Sequence, residues 1–364
     1  MSDSLKLTTY FGERDRSGGG FLADAFADVY ARHAIHTSLV MRGVEGFGAK
    51  HHLRSDRLLT LSEDLPLVSF AVDERRRIEA ALREVSGLRF DGLITLERAQ
   101  LLTTDEALRD WPGREPETKL TVYVGRHERA NGGPLWKQIV ALFRRRGLAG
   151  ATVLLGVDGT AGGARRRARF CARNAEVPLA VVAVGDGAMI AELLPEIGSM
   201  LARPAVTLER ARVCKRDGEL LGRPHSLYET DPSGLAIWQK LTVYVSELSR
   251  VGGHPTYHRL VRALREAGAA GVTVLRGVWG YHGVGPPHGD SFWQLRRNVP
   301  VVAEIVDTPA RAATWFDVID DLTRSGGLVT SETVPALRAT APDHVRGGFK
   351  LAQLPRLGAG DRSP

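Results

Sequence analysis

The sequence is poor in cysteine. Its 364 residues include only Cys171 and Cys214, and no CxxC spacing occurs. Disulfide-stabilised secreted folds and thiolate zinc sites both need several cysteines at short, regular spacings. Both classes are therefore excluded, and the composition is typical of a reducing compartment. Cys171 follows several arginines, but we interpret it as a small packing residue.

Long apolar runs are also absent from the sequence. The longest, at residues 177–184, ends at Gly185. A membrane-spanning helix needs about 20 apolar residues. Residues 1–7 contain no apolar core of a secretory signal. We therefore expect a cytoplasmic protein without membrane insertion.

Neither sign of charge dominates the chain. It has 49 Lys plus Arg and 42 Asp plus Glu, a formal net charge of +7. This weak basic excess suits small anionic ligands as well as nucleic acid. The length indicates two or three domains, because a single domain has about 100 to 150 residues.

One segment recurs three times. The copies are KLTTY at residues 6–10, KLTVY at residues 119–123 and KLTVY at residues 240–244. A glycine pair follows each copy, and after it apolar residues recur at the spacing of one helical face. The pattern predicts a first strand and a first helix in each of three repeats.

The rest of each repeat also recurs in order. Runs rich in β-branched residues end at Gly43, Gly156 and Gly277 and predict a second strand. LPLV, VPLA and VPVV predict a third, because proline is tolerated at the first residue of a strand. A second helix and a last strand, LITLE, AVTLE or LVTSE, complete the unit.

The order strand, helix, strand, strand, helix, strand is typical of the split βαβ arrangement. The sequence therefore predicts an α+β fold of three tandem ferredoxin-like (βαββαβ) domains, at residues 1–103, 117–214 and 238–338. The segments between them are rich in glycine, proline and charge and are interpreted as linkers. Residues 339–364 are interpreted as a flexible basic tail.

These segments resemble the PII-like proteins of the DUF190 family. The first repeat carries the resemblance best, in RGVEGFG at residues 42–48, in His52 and in LSEDLP at residues 61–66. The resemblance implies a fold similar to the PII signalling proteins, which form trimers and bind adenine nucleotides in clefts between subunits. Three joined copies would then form a monomeric pseudo-trimer with three unequal clefts.

The resemblance also implies binding residues. In PII proteins the glycine-rich start of the loop after the second strand lies beside the nucleotide, and here it matches Gly43, Gly46 and Gly48. A bulge or turn explains these glycines equally well. The phosphate loop before the last strand matches the outline of residues 86–92, where the candidates are Ser86, Gly87, Arg89 and Gly92. The basic residues of that loop are not retained at the same positions.

An arginine cluster in the second repeat is a candidate anion clamp. Helical positions four apart share a face, and guanidinium groups bind phosphate in a bidentate manner. The candidates are Arg165, Arg169 and Arg173. A solvated helix face explains the same pattern. No metal site is predicted, because His254 and His258 have no carboxylate or cysteine at a zinc-site spacing.

Three functions remain open. The first is a PII-like regulatory protein whose small anionic ligand, an adenine nucleotide by resemblance, binds between repeats and alters contact with a transporter or an enzyme. The second is an enzyme that acts on a phosphorylated metabolite in one cleft, although no nucleophile elbow, HExxH or Walker loop occurs. The third is a nucleic-acid-binding protein, which the excess of arginine motivates.

Overall fold

The computed structural model describes residues 3–48, 54–55, 64–130, 132–167, 177–282, 287–289, 299–341 and 344–354. Within this part of the chain the fold is α+β and dominated by sheet, with seven helices. None of these helices has both the length and the apolar character needed to cross a membrane.

Each repeat has the strand and helix order that the sequence predicts. The first contains β1 (Ser4–Gly12), α1 (Leu22–Arg32), β2 (Thr37–Phe47), β3 (Pro66–Glu74), α2 (Arg75–Val85) and β4 (Gly92–Leu102). A short helix, α3 (Asp105–Arg109), follows it. The second contains β5 (Thr118–Gly125), α4 (Leu135–Arg145), β6 (Gly150–Leu155), β7 (Asp158–Ala161), β8 (Pro178–Gly185), α5 (Gly187–Met200), β9 (Val206–Arg210) and β10 (Arg212–Arg216).

The third repeat contains β11 (Trp238–Ser246), α6 (Thr256–Glu266), β12 (Val272–Arg276), β13 (Trp279–His282), β14 (Pro300–Asp307), α7 (Pro309–Leu322) and β15 (Leu328–Val334). After it come β16 (Ala336–Ala341) and β17 (His344–Gly348). Two-residue strands lie at Arg16–Ser17, Gly20–Phe21, Arg54–Ser55, Arg129–Ala130, Gly133–Pro134, Ala164–Arg165, Glu219–Leu220, Arg250–Val251, His254–Pro255 and His288–Gly289.

The sheet of each repeat is antiparallel and has its first strand in the middle. In repeat 1 the order is β4-β1-β3-β2. Repeats 2 and 3 have the matching orders β9-β5-β8-β6 and β15-β11-β14-β12. Alternate residues of a strand point to opposite faces, so Leu5 and Leu7 share a buried cluster with Phe26 of α1 and Ile78 of α2. Each such side chain contributes about 1.5 to 3 kcal/mol on burial.

The sheet face opposite the helices packs, in each repeat, against the sheets of the other two repeats. Residues from all three repeats form one buried cluster there, including Leu39, Phe70, Tyr123, Val182 and Tyr244. The alternation explains why the first strands have almost no exposed residue, because one face packs on helices and the other packs on the neighbouring repeats.

The second strands join the repeats in a ring. β2 of repeat 1 runs past β3 and pairs with β12 of repeat 3. β13, which continues the second strand of repeat 3, pairs with β6 of repeat 2. β7, which continues the second strand of repeat 2, pairs with β2 of repeat 1. The backbone pairing therefore leads from repeat 1 to 3, from 3 to 2 and back to 1.

The last strands form a second ring, in the opposite sense. The end of β4 pairs with β9 of repeat 2. β10, which follows β9, pairs with β15 of repeat 3, and β16, which follows β15, pairs with β4. Unpaired strand edges expose backbone donors and acceptors. The two rings cover these edges with strands of other repeats.

Residues of the first predicted linker and of the ends of the second and third predicted domains complete the core of the next repeat. Leu108 and Trp111 lie in the core of repeat 2, Cys214 in that of repeat 3 and Ala336 in that of repeat 1. The expected tail from residue 339 differs from the structure, because β16 extends to Ala341 and pairs with β17. This hairpin covers the outer edge of β4. Residues 355–364 lie outside the described residues.

Candidate functional site

A buried cluster of lysines and glutamates lies where the three repeats meet. Each repeat gives the lysine of its KLT segment and the glutamate of its last strand. The members of this buried Lys–Glu cluster are Lys6, Lys119, Lys240, Glu97, Glu209 and Glu332.

The ion pairs of this cluster run between repeats. Lys6 Nζ lies 3.1 Å from Glu209 Oε1, Lys119 pairs with Glu332, and Lys240 pairs with Glu97. Each lysine thus contacts the glutamate of the next repeat in a closed order. Two links within repeats, between Lys119 and Glu209 and between Lys240 and Glu332, are also 3.1 Å long.

The environment keeps the cluster charged. Burial disfavours a charged Glu97, but the ammonium groups of Lys240, Lys6 and Lys119 outweigh it and hold the pKa of Glu97 well below its usual range. Burial likewise opposes the charge of Lys119, yet the carboxylates of Glu209 and Glu332 raise the pKa of that lysine well above its usual value.

The three carboxylates also lie close enough to hold a cation, with ligand oxygens within 4.8 Å of one another. The three ammonium groups already neutralise them, so a metal ion would have to displace a lysine from a buried site. We interpret the cluster as a structural device that sets the order of the repeats.

Tyrosines four residues after the cluster lysines, on the same first strands, also contact neighbouring repeats. Tyr123 of repeat 2 packs against Phe70 of repeat 1, with ring centroids 5.7 Å apart. Phe70 and Val182 occupy the same position of the third strand, opposite the threonine of the KLT segment, Thr8 and Thr121 respectively. In repeat 3 that position is Glu304. Its Oε2 accepts a hydrogen bond of 2.9 Å from the hydroxyl of Tyr10 in repeat 1.

Glu304 lies at a cleft between repeats 1 and 3. The cleft has a volume of about 200 Å³. Repeat 1 contributes the end of β1, Gly48 after β2, Asp91 before β4 and Gly92 at the start of β4. Repeat 3 contributes the start of β12 and the end of β14, and the β16–β17 hairpin lines a third side. The walls contain aromatic and aliphatic groups such as Phe11, Trp238 and Leu337.

Among the described residues that line this cleft, carboxylates outnumber cations. Asp15, Asp91, Glu304 and Asp307 line it, together with Arg346 and His344. Asp307 is held in place by the backbone N–H of Thr308 at 2.9 Å and the indole N–H of Trp315 at 3.0 Å. The guanidinium of Arg346 lies over the ring of Trp238, 4.6 Å from its centroid.

A second, smaller cavity of about 40 Å³ lies among the three repeats. Its lining includes the three lysines of the Lys–Glu cluster, together with Tyr10 and Glu304. The Tyr10–Glu304 pair therefore stands between this inner cavity and the outer cleft.

The candidate residues from the sequence fall in different places. Gly48 and Gly92 line the cleft. Arg89 and Gly87 are exposed, and Ser86 ends α2, where its hydroxyl donates to Leu82 O at 2.6 Å. Of these four residues of the predicted phosphate loop, the structure brings only Gly92 to the cleft.

Gly43 and Gly46 lie in the ring of second strands. A Cβ at Gly46 would lie 2.4 Å from Val272 O of repeat 3. The other repeats have the same requirement at Gly159, 2.1 Å from Ser38 O, and at Gly280, 2.1 Å from Ala151 O. The motif Gly-Val-x-Gly therefore serves close backbone approach at each crossing.

Arg165, from the candidate anion clamp, is already surrounded by carboxylates. Its guanidinium donates to Asp158 at 3.2 Å and to Asp24 of α1 at 3.2 Å, and it also contacts Asp28. These contacts dock repeat 2 on repeat 1. Arg169 and Arg173 lie outside the described residues, so the clamp stays a prediction. Cys171 also lies outside them.

His258 and the aromatic residues of repeat 3 likewise serve contacts between repeats. His258 Nδ1 lies 2.6 Å from Glu45 Oε1 of repeat 1. Trp279 packs edge-on against Trp136 of repeat 2, and the hydroxyl of Tyr281 donates to Leu148 O at 2.9 Å.

The match to a family model follows these repeats closely. The model for DUF190, described as an uncharacterized ACR, matches residues 4–101, 117–213 and 238–336. The chain belongs to the DUF190 family. The expected membership, in three tandem copies, is thereby confirmed.

Single DUF190 units resemble one repeat of this chain. A UPF0166 protein of Aquifex aeolicus is 31% identical over 97 residues, which cover 27% of this chain and 90% of that protein. A UPF0166 protein of Methanocaldococcus jannaschii is 28% identical over 89 residues, which cover 24% of this chain and 82% of that protein.

A solved structure of aspartate kinase from Synechocystis aligns with 94% of this chain and 46% of the kinase, at 11% identity and a TM-score of 0.22. A likeness at this level supports no conclusion about fold or activity.

The Lys–Glu cluster and Glu304 were not among the candidates from sequence. A signal for the cluster exists, because a lysine opens and a glutamate closes the strand pattern of every DUF190 repeat here. Charged residues in strands that are otherwise apolar on both faces indicate buried pairing. Glu304 has a weaker signal, since it is a single charged residue that interrupts the apolar run VPVVAEIV at residues 299–306.

Proposed function

We propose that this DUF190 chain is a PII-like regulatory protein that binds a small ligand in the cleft between repeats 1 and 3. One observation carries the proposal. Gly48 and Gly92 are far apart in sequence, and the PII resemblance assigns the segments of both to ligand binding. Both line one cleft, whose opposite wall belongs to another repeat.

The proposed architecture is an intrachain pseudo-trimer of ferredoxin-like units. It is supported by the two rings of strand pairing. The closed order of ion pairs in the Lys–Glu cluster gives independent support. In this arrangement each cleft has walls from two repeats, as PII clefts have walls from two subunits.

The cleft suits a ligand with a flat ring and a charged tail. Phe11, Trp238 and Leu337 offer apolar and aromatic surface for a ring. Arg346 is the guanidinium that lines the cleft among the described residues, and it would meet a phosphate or carboxylate. An adenine nucleotide, the ligand that the resemblance implies, has both parts.

Signalling would follow from contacts that the ligand makes on both walls. A ligand shifts a conformational equilibrium only by its difference in affinity for the two states. The β16–β17 hairpin lines the cleft and exposes all residues of β17. We propose that ligand binding fixes this hairpin and thereby changes contact with a transporter or an enzyme.

Isothermal titration of the full chain with ATP, ADP, AMP and cyclic adenine nucleotides tests the proposal. Gly48→Trp should abolish binding, because a Cβ at Gly48 meets no atom within 4 Å and the indole would occupy the cleft. Gly20→Trp is the matched control, since Gly20 is equally open and does not line the cleft.

The outcome that contradicts the proposal is equally defined. If no nucleotide binds and no other metabolite raises the melting temperature at millimolar concentration, the cleft is not a ligand site. Binding that Gly48→Trp leaves unchanged would place the ligand elsewhere.

A further inference from the structure

The cleft between repeats 1 and 3 contains a group that the equivalent positions of repeats 1 and 2 lack. Phe70 and Val182 are buried apolar residues at the third-strand position where repeat 3 has Glu304. A half-buried carboxylate between two repeats destabilises the fold unless it is hydrogen-bonded or paired with a cation or a ligand. Only one of the three related positions therefore carries a hydrogen-bonding group.

Glu304 can still accept two hydrogen bonds from a ligand, one at Oε1 and one at the second lone pair of Oε2. Tyr10 holds Oε2 through a hydrogen bond of 2.9 Å. Oε1 has no hydrogen-bond partner among the described residues, and Glu304 lines the cleft. Asp307 is instead engaged by Thr308, Trp315 and Arg311.

The chemistry of a carboxylate determines which ring it can recognise. An ionised carboxylate only accepts hydrogen bonds, and its two oxygens match two parallel donors. The edge of guanine presents N1–H and the 2-amino group side by side, as an amidine presents two N–H groups. Adenine presents its amino group beside an unprotonated ring nitrogen, whose lone pair a carboxylate repels.

We infer that Glu304 makes this cleft selective for a ligand with two adjacent N–H donors, such as a guanine base or an amidine, over adenine. This inference rests on the proposed ligand-binding role of the cleft. Tyr10 is a positioning residue, because its hydroxyl holds the carboxylate of Glu304. Of the three related positions Phe70, Val182 and Glu304, that of repeat 3 alone carries a carboxylate.

Titration of the full chain with guanosine, inosine and adenosine tests the selectivity. Inosine retains N1–H and lacks the 2-amino group. Affinity should fall in the order guanosine, inosine, adenosine. The affinities for guanosine and adenosine should differ by about 10- to 100-fold, since the loss of one charge-assisted hydrogen bond lowers affinity by about that factor. The stoichiometry should be one nucleoside per chain.

Glu304→Val should remove this order. The variant places in repeat 3 the residue that repeat 2 already has at Val182, so the fold is expected to tolerate it. Tyr10→Phe should lower the affinity for guanosine by a smaller factor and leave the affinity for adenosine unchanged. Asp321→Asn, which removes an exposed carboxylate outside the cleft, is the charge control.

A second pair of probes separates this inference from the proposed function. Benzamidine presents two N–H groups without a nucleoside, and benzamide replaces one by a carbonyl oxygen. If benzamidine binds in a Glu304-dependent manner and all nucleosides and nucleotides are silent, the inference stands and the nucleotide proposal is wrong.

The opposite results overturn the inference. These are adenosine binding as tightly as guanosine, guanosine affinity unchanged in Glu304→Val, or no binding of benzamidine to the wild-type chain.

Discussion

Replacement of Lys240 by methionine tests the buried Lys–Glu cluster most directly. The lysine side chain is 1% exposed and that of its partner Glu97 is 5% exposed. Methionine keeps most of the aliphatic volume and removes the charge. Among the described residues Lys240 is the one cation within ion-pair distance of Glu97, whereas Glu332 keeps Lys119. Leaving one partner of a buried pair uncompensated costs about 3 to 5 kcal/mol, so the free energy of unfolding should fall by that amount.

A double-mutant cycle with Glu97→Gln separates pairing from packing. In the double variant both charges are gone, so its destabilisation should be smaller than the sum of the two single effects by about 1 to 3 kcal/mol. Lys350→Met is the control, since Lys350 is exposed and such substitutions change stability by about 0.5 kcal/mol or less.

Urea unfolding followed by circular dichroism, with linear extrapolation, measures these free energies. Urea is preferred to guanidinium chloride because the latter is a salt that screens charges. Two results would refute the structural role of the cluster. One is a free energy of unfolding of Lys240→Met within about 1 kcal/mol of the wild type, well below the cost of a buried unpaired charge. The other is strictly additive effects in the double-mutant cycle.

Three other predictions concern the same framework. The pKa values of Glu97 and Glu332 are lowered in the folded chain, where burial is outweighed by lysine ammonium groups, so their stabilising contribution is complete above the unfolded value of about 4.3 and is lost as the pH falls towards the folded values. The urea midpoint should therefore drop below about pH 4.3, and a Glu97→Gln variant should show a shallower drop. Gly46→Ala should destabilise by about 1 to 3 kcal/mol through a clash with Val272 O, whereas Gly48→Ala, in open space, should cost less than about 1 kcal/mol; equal urea midpoints for the two would contradict the strand-ring explanation. Burial raises the pKa of the Cys214 thiol to about 12, so in a Cys171→Ser variant iodoacetamide should label Cys214 only after unfolding, and rapid labelling of the native chain would disprove its burial.

Parts of the fold could be predicted because they depend on local pattern. Strand and helix order follows from apolar periodicity and from proline at the start of Pro66–Glu74, Pro178–Gly185 and Pro300–Asp307. The cap of α5 is equally local, since the carboxylate of Asp186 accepts from Ala188 N and Met189 N. Such features need only neighbours within a few residues.

The site was predicted less well because it joins distant segments. Gly48 and Gly92 line the cleft, while Gly43 and Gly46 serve the crossing of β2 and β12. A glycine is required wherever a backbone approaches closely, whether that backbone belongs to a ligand or to another strand. The sequence has no signal that separates the two cases. Arg165 shows the same limit, because its three carboxylate partners come from two repeats.

The three repeats, their internal order of strands and helices, and membership of the DUF190 family follow from the amino-acid sequence, because these depend on residue patterns within about a hundred positions. The way in which the repeats close on one another became visible only in the folded chain. The edges of their sheets need backbone partners, and the charges of Lys6, Lys119 and Lys240 need carboxylates from other repeats. Those partners lie more than a hundred residues away, so no local pattern reveals them.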